Sequence, residues 1–177
     1  MRVYLARHGE SEGKKLFLGR SNPPLSALGR TQSKELAGRL AGLNIDRIVS
    51  SNLDRAVETA AIVGGALDLV PSPDARFDEI GYGEWDGLTW DEIERRWPDL
   101  SQQKIQDWWG VTPPGGEPAA DFFARLRTAW RDLAASPSVT LLVAHVGVNG
   151  VLRSWAVGDE PLAFNQSCGN FVALEIE

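Results

Sequence analysis

Two apolar runs of strand length set the architecture. Val3-Tyr4-Leu5-Ala6 and residues 139–144 lack the alternation of a half-solvated strand, so they read as strands covered on both faces, as in a parallel α/β sheet. Each run ends in a histidine and then a glycine turn, at His8-Gly9 and at His145-Val146-Gly147. The chain has 177 residues and only these two histidines. Two histidines at equivalent strand ends suggest one shared site, because open α/β sheets bind ligands just beyond the carboxyl ends of their strands.

The remaining pattern supplies the layers. Strand Arg2–Arg7 precedes a helix over 27–42 that Ser26 can cap, with Leu36, Leu40 and Leu43 on one face. A second strand over 45–50 leads to a helix capped by Asn52 or Ser51, carrying Leu53, Ala56, Val57, Ala60 and Val63 at helical spacing, with Gly64-Gly65 as its stop. An extended piece at 69–77, interrupted by Pro71 and Pro73, suits a sheet edge or a crossing segment. A long helix over 118–135 follows with Phe122, Leu126, Ala129 and Leu133 aligned, then the strand 139–144, a helix over 147–157 and a last strand over 170–176. Strands alternating with helices imply a layered α/β fold, a mainly parallel sheet flanked by helices, in one domain over 1–177.

Residues 81–118 depart from this rhythm. Five of the seven tryptophans fall between Trp85 and Trp109, among many glycines and prolines. The segment reads as an excursion from the sheet with short helices at about 89–96 and 101–109. It is either a satellite hydrophobic cluster or a partial lid, in which case Trp108 and Trp109 would offer flat apolar surface to a substrate.

Bulk properties narrow the class. One cysteine, Cys168, rules out an internal disulfide, and one cysteine with two histidines makes a structural zinc site improbable. No charged-then-apolar leader follows Met1 and no apolar run nears the ~18 residues of a membrane span, so a soluble, cytoplasmic protein is expected. A formal charge of −6 disfavours nucleic acid and anionic membranes, but not a small anionic substrate held in a local basic pocket.

Arg7-His8-Gly9 joins a planar fork of donors suited to phosphate oxygens to a potential nucleophile, with Gly9 allowing close backbone approach. Arg55 stands in the first turn of the second helix, where a cation opposes the helix dipole unless an anion is bound there; a local pair with Glu58 or Asp54 is the plainer alternative. His145 precedes another helix start. Two histidines and two arginines at strand ends point to phosphoryl chemistry. A leaving oxygen then needs a proton donor, for which Asp78, Glu79, Glu84 and Asp86 are equal candidates from the residues alone.

The segments LARHGES, PLSALGRTQ, SSNLDRAVETA, DEIGYGEWDG, PPGGEPAADFFARL and VAHVGV, in that order, resemble the pattern of the histidine phosphatase superfamily, the phosphoglycerate mutase-like clan. The resemblance spans nearly the whole chain. It implies a phosphoglycerate mutase-like three-layer fold, His8 as a nucleophile that becomes phosphohistidine, Arg7, Arg55 and His145 as holders of the phosphoryl group, and Glu79 as the proton donor. It implies no metal and no cofactor. Members commonly carry Asn where this chain has Lys14, another donor, and Gly-Gly where it has Val146-Gly147, a change that a backbone amide contact of Val146 tolerates. The family's mutases are longer, with a basic insertion that this chain lacks, and where they carry a small hydroxyl residue before the loop glycine, Leu18 stands ahead of Gly19. These features favour a phosphatase of a small-molecule phosphate ester, most similar to the α-ribazole phosphatase group of cobalamin assembly. A phosphoglycerate mutase and a silent phospho-ligand binding module are the alternatives.

Overall fold

The computed structural model describes residues 2–13 and 15–175, without the side chain of Ala163. Five strands form one sheet: β1 (Arg2–Arg7), β2 (Arg47–Ser50), β3 (Ser72–Pro73), β4 (Thr140–Ala144) and β5 (Phe171–Glu175), in the order β3-β2-β4-β1-β5. All neighbours are parallel except β5, which runs antiparallel to β1. The two apolar runs are therefore adjacent central strands, as their composition requires. β3 is a two-residue edge strand, where Pro73 withholds no interior ladder bond. Ile176, the expected end of the last strand, lies outside the described residues.

Helices cover both faces. On one side α1 (Ala27–Leu40) and α2 (Asp54–Leu67) pack Leu36, Leu40, Ala56, Ala60 and Val63 onto Tyr4, Ala6, Leu141 and Val143. On the other, α5 (Ala119–Ala134) and α6 (Val146–Val157) pack Phe122, Leu126, Val148, Val151 and Leu152 against Val3, Leu5, Leu142 and Ala144. Successive residues of one strand thus serve opposite layers. Every residue of β4 is fully buried, and each large apolar side chain there contributes roughly 1.5–3 kcal/mol.

The helix expected over 101–109 lies at Pro98–Gln106, ending before Trp108, and the extended piece 69–77 shrinks to Ser72–Pro73 with a 3-10 turn over Ala75–Phe77. Two details of α2 also differ. α2 does not stop at Gly64-Gly65 but runs to Leu67 and turns at Asp68 in the left-handed region, φ 55°. Gly64 is needed for contact instead, since a Cβ there would stand 2.4 Å from the Leu69 carbonyl oxygen. Nor do Ser51 and Asn52 cap α2 as expected. The cap position is Leu53, with no side-chain bond, and Asn22 accepts from the Asp54 amide at 2.7 Å. Ser51 is engaged elsewhere.

The excursion carries α3 (Trp90–Arg96), with a Thr89–Glu92 capping box, and α4 (Pro98–Gln106). It is stitched to the loop after β1 by paired backbone bonds between Phe17 and Leu88 (2.8 Å) and between Gly87 and Phe17 (2.7 Å). Its tryptophans divide. Trp85 is fully buried against Trp90 and Trp97, and Trp109 stacks on Phe122 in the core. Trp108 alone among the five lines the cavity at the strand ends.

Candidate active site

β1 and β4 pair with Arg7 opposite Ala144, so the residues after them stand side by side. The His8 and His145 rings lie 5.0 Å apart at 60°, in the floor of a cavity of about 480 Å³. Arg7, Arg55, Glu79 and Val146 line the same cavity, together with Leu16, Phe17, Leu18, Tyr82 and Trp108 and the polar Glu10, Ser11 and Lys15.

His8 is buried, and its Nδ1 lies 2.6 Å from the Gly9 carbonyl oxygen. A carbonyl can only accept, so Nδ1 carries the proton and Nε2 of the neutral ring keeps its lone pair. Burial, helped by the nearby Arg55 and Arg7 charges, pushes the His8 imidazolium down to about 3. Gly9 serves packing more than ligand approach: a Cβ there would stand 2.3 Å from the Gly29 carbonyl oxygen at the start of α1.

His145 is tied from behind. Its Nε2 is 2.8 Å from Ser51 Oγ, and that hydroxyl donates to Asp78 Oδ1 at 2.8 Å. The serine proton is committed to the carboxylate, so Ser51 accepts from His145 Nε2–H, which leaves Nδ1 as the unprotonated nitrogen of the neutral ring. Burial holds the His145 imidazolium well below its ordinary range, reinforced by His8, Arg55, Arg7 and Arg125.

Arg55 does not pair with Glu58, which binds Arg30 at 2.6 Å. Its Nη1 donates to the Ser21 carbonyl (2.8 Å) and its Nη2 to those of Leu18 (3.2 Å) and Gly19 (3.0 Å). Gly19 therefore meets Arg55 through its backbone, and a Cβ there would lie 2.4 Å from the Ile80 carbonyl oxygen. Asp86 secures the same loop, accepting from the amides of Gly19 (3.1 Å), Arg20 (2.6 Å) and Ser21 (3.0 Å). Arg7 donates from Nη1 to the Gln166 carbonyl at 2.6 Å. Arg7 Nε, Arg55 Nε and His145 Nδ1 are buried without a hydrogen-bond partner among the described residues. Left unpaired, each costs roughly 1–3 kcal/mol: the bare Nδ1 of His145 calls for a donor, and the two guanidinium N–H groups for an acceptor. A group with several anionic oxygens is such an acceptor.

The geometry separates the four acids. Asp78 is committed to Ser51, the Asn52 amide and Arg20 (2.8 Å), Asp86 to three amides, and Glu84 is exposed outside the cavity. Glu79 is buried and lines the cavity; Oε1 accepts from the Ile80 amide (3.0 Å) and Oε2 from the Gly147 amide (3.1 Å). Burial raises its pKa above the ordinary carboxylate value, against the opposing pull of those amides and of Arg55 and Arg7. Trp109, expected beside Trp108, sits instead in the core against Phe122 and Phe123, because the turn after α4 points the two rings to different sides. Lys14 lies outside the described residues, while its neighbour Lys15, at φ 78°, lines the cavity. Sequence reasoning missed Ser51, Gln166, Phe17, Tyr82 and Lys15. Only Ser51 carried a signal, as a hydroxyl at the end of β2 beside both histidine-bearing strands. Among the described residues no cluster of three or more His, Cys, Asp or Glu stands ready to hold a metal.

The profile of the histidine phosphatase superfamily (branch 1) matches residues 3–174. The chain belongs to this superfamily. It is 38% identical over 151 residues to a bifunctional protein of Mycobacterium tuberculosis, covering 82% of this chain and 41% of that protein. It thus spans about two fifths of that relative's length. It is 30% identical over 167 residues to a probable phosphoglycerate mutase of Yersinia enterocolitica, covering 92% of this chain and 78% of that one. The α-ribazole phosphatase structure from Shigella flexneri superimposes with a TM-score of 0.91 at 26% identity, over 100% of this chain and 91% of that one. The mixed α/β sheet of this chain is the fold of such superfamily members.

Proposed function

We propose that this histidine phosphatase superfamily member is a metal-independent phosphomonoesterase working through a phosphohistidine, with α-ribazole 5'-phosphate as its candidate substrate. The observation that carries the reading is the convergence of Arg7, Arg55, Glu79 and His145 on one cavity with His8, whose ring lies 5.0 Å from that of His145 and whose Nε2 lone pair is free. The guanidinium donors of Arg7 and Arg55 complement phosphoryl oxygens, and their charge takes the place of a cation.

In this mechanism His8 Nε2 attacks phosphorus in line, forming the N–P bond as the P–O bond to the alcohol breaks. Glu79, its neutral form favoured by burial, gives its proton to the departing oxygen. As a carboxylate it then takes a proton from water, whose oxygen attacks phosphorus; the N–P bond breaks, releasing phosphate and free His8. Because His145 Nδ1 starts without a proton, the site takes a dianionic ester together with one proton. The imidazolium formed would be held by Ser51, backed by the Asp78 carboxylate.

The apolar residues of the cavity, Leu16, Phe17, Leu18 and Trp108, favour an ester with a ring-bearing alcohol. Phosphoglycerate mutase is the second reading, favoured by the name of the Yersinia relative. Labelling with a phosphate donor, with phosphate release followed in parallel and with EDTA present, separates them. A phosphatase turns over quickly in EDTA and loses several orders of magnitude in His8→Ala. A long-lived phosphoenzyme indicates the mutase, and no label with no release overturns both.

A further inference from the structure

Lys104 is a buried lysine outside the catalytic constellation, 2% exposed, on the last turn of α4. No carboxylate pairs with it among the described salt bridges. Its Nζ donates to the carbonyl oxygens of Trp108 and Val111, the latter at 2.6 Å, and stands 4.9 Å from the centroid of the Trp108 ring. Burying an ammonium is costly unless hydrogen bonds replace its water. Here the replacements all belong to one turn, residues 108–111. Asp107 closes that turn from the other side, its Oδ1 accepting from the Gly110 amide at 2.8 Å. The turn delivers Trp108 to the cavity, where its ring lies 6.3 Å from Phe17.

We propose that Lys104 is a positioning residue for substrate selection: it clamps the Trp108 turn by two carbonyls and the indole face, making Trp108 a rigid wall for the alcohol part of the ester. The inference rests on the phosphomonoesterase reading for its kinetic test. A loose indole must be ordered by each substrate it touches, whereas a clamped one is ordered in advance, so affinity for bulky rings is gained without altering the chemistry. Burial lowers the Lys104 pKa to about 8, against the pull of Asp107, the charged group that faces it; its other neighbours are carbonyls and the ring. The clamp is thus charged at neutral pH and weakens as pH rises through that value, because the neutral amine keeps two N–H donors but loses the charge that strengthens them and holds the indole face.

The test compares 1-naphthyl phosphate with ethyl phosphate in wild type and Lys104→Met, which keeps the apolar stem. KM for the naphthyl ester is expected to rise about tenfold with kcat nearly unchanged, and ethyl phosphate to change less than about twofold. In a Trp108→Ala background the same substitution is expected to add nothing. Equal losses on both esters, or additivity with Trp108→Ala, overturn the clamp. If Lys104→Met does not fold, wild type decides alone: KM for the naphthyl ester must climb above pH 8 relative to ethyl phosphate, and a constant ratio is a refutation. If wild type hydrolyses neither ester, the phosphomonoesterase reading has failed, and acrylamide quenching of Trp108, isolated by difference against Trp108→Phe, decides the clamp. Greater quenching in Lys104→Met, or in wild type above pH 8, supports it, and equal quenching refutes it.

Discussion

Gly147→Ala tests the geometry of proton donation without touching the donor. A Cβ at Gly147 would stand 2.5 Å from Glu79 Oε1, 3.1 Å from its Cδ and 3.2 Å from Oε2. Ordinary contact begins at 3.4 Å, so the carboxyl must retreat by about 3.4 − 2.5 = 0.9 Å. It cannot do so freely, because it is buried and both oxygens are held, by the Ile80 amide at 3.0 Å and the Gly147 amide at 3.1 Å. A displacement near 1 Å costs about 10²-fold in a positioned reaction, within the roughly 10²–10⁴-fold that a general acid supplies. Stability should change little, since a strained hydrogen bond of about 1.5–3 kcal/mol is partly offset by the helical gain of alanine over glycine, up to about 1 kcal/mol. The assay is rapid mixing with two esters. With ethyl phosphate, whose leaving oxygen is basic, phosphorylation of His8 should slow about 10²-fold. With p-nitrophenyl phosphate the nitrophenolate burst should stay fast while the steady state falls, because water attack still needs the base. An unchanged rate on ethyl phosphate would refute the reasoning, as would equal slowing of both bursts.

Three further outcomes are expected. Glu79→Gln should abolish most ethyl phosphate turnover and remove one pH-dependent loss of stability: a carboxyl whose folded pKa is raised loses stability as pH climbs above its unfolded value, whereas the amide does not titrate; denaturant melts at pH 5 and 7 should show the stability difference shifting toward the variant at the higher pH, and an unchanged difference contradicts the raised pKa. His8 and His145 are both harder to protonate when folded, so stability should fall as pH drops from 6.5 toward 3, with a slope nearing about 2.7 kcal/mol per pH unit for two protons. His8→Gln should halve that slope, and an unchanged slope contradicts the neutral, buried imidazole. Ser51→Ala removes the acceptor of His145 Nε2–H, and should weaken competitive inhibition by inorganic phosphate about tenfold, as expected for one hydrogen bond to a charged group; unaltered inhibition would mean that His145 needs no support.

The central strands were legible because burial on both faces leaves a linear mark, an unbroken apolar run; their order in the sheet was not, and only the folded pairing supplies it. Helix faces were legible for the same reason, through the spacing of Leu36, Leu40, Phe122 and Leu126. His8 and His145 stood out because strand ends are sites by topology. Tertiary contact decided the rest. The four acids Asp78, Glu79, Glu84 and Asp86 are alike in a string of letters, and what separates them is which partners the fold brings: Ser51 to Asp78, three loop amides to Asp86, solvent to Glu84, and the start of α6 to Glu79. Ser51 looked like a helix cap and became the support of His145, because the β2 and β4 ends converge. Gly64 looked like a stop signal and is a contact point, and Gly9 faces α1 rather than a ligand. Trp108 and Trp109 are adjacent and chemically identical, yet one meets the cavity and the other the core, since a turn sends neighbouring side chains in different directions. Local pattern records what a residue needs on average, burial or water; only the folded chain determines which atoms supply it.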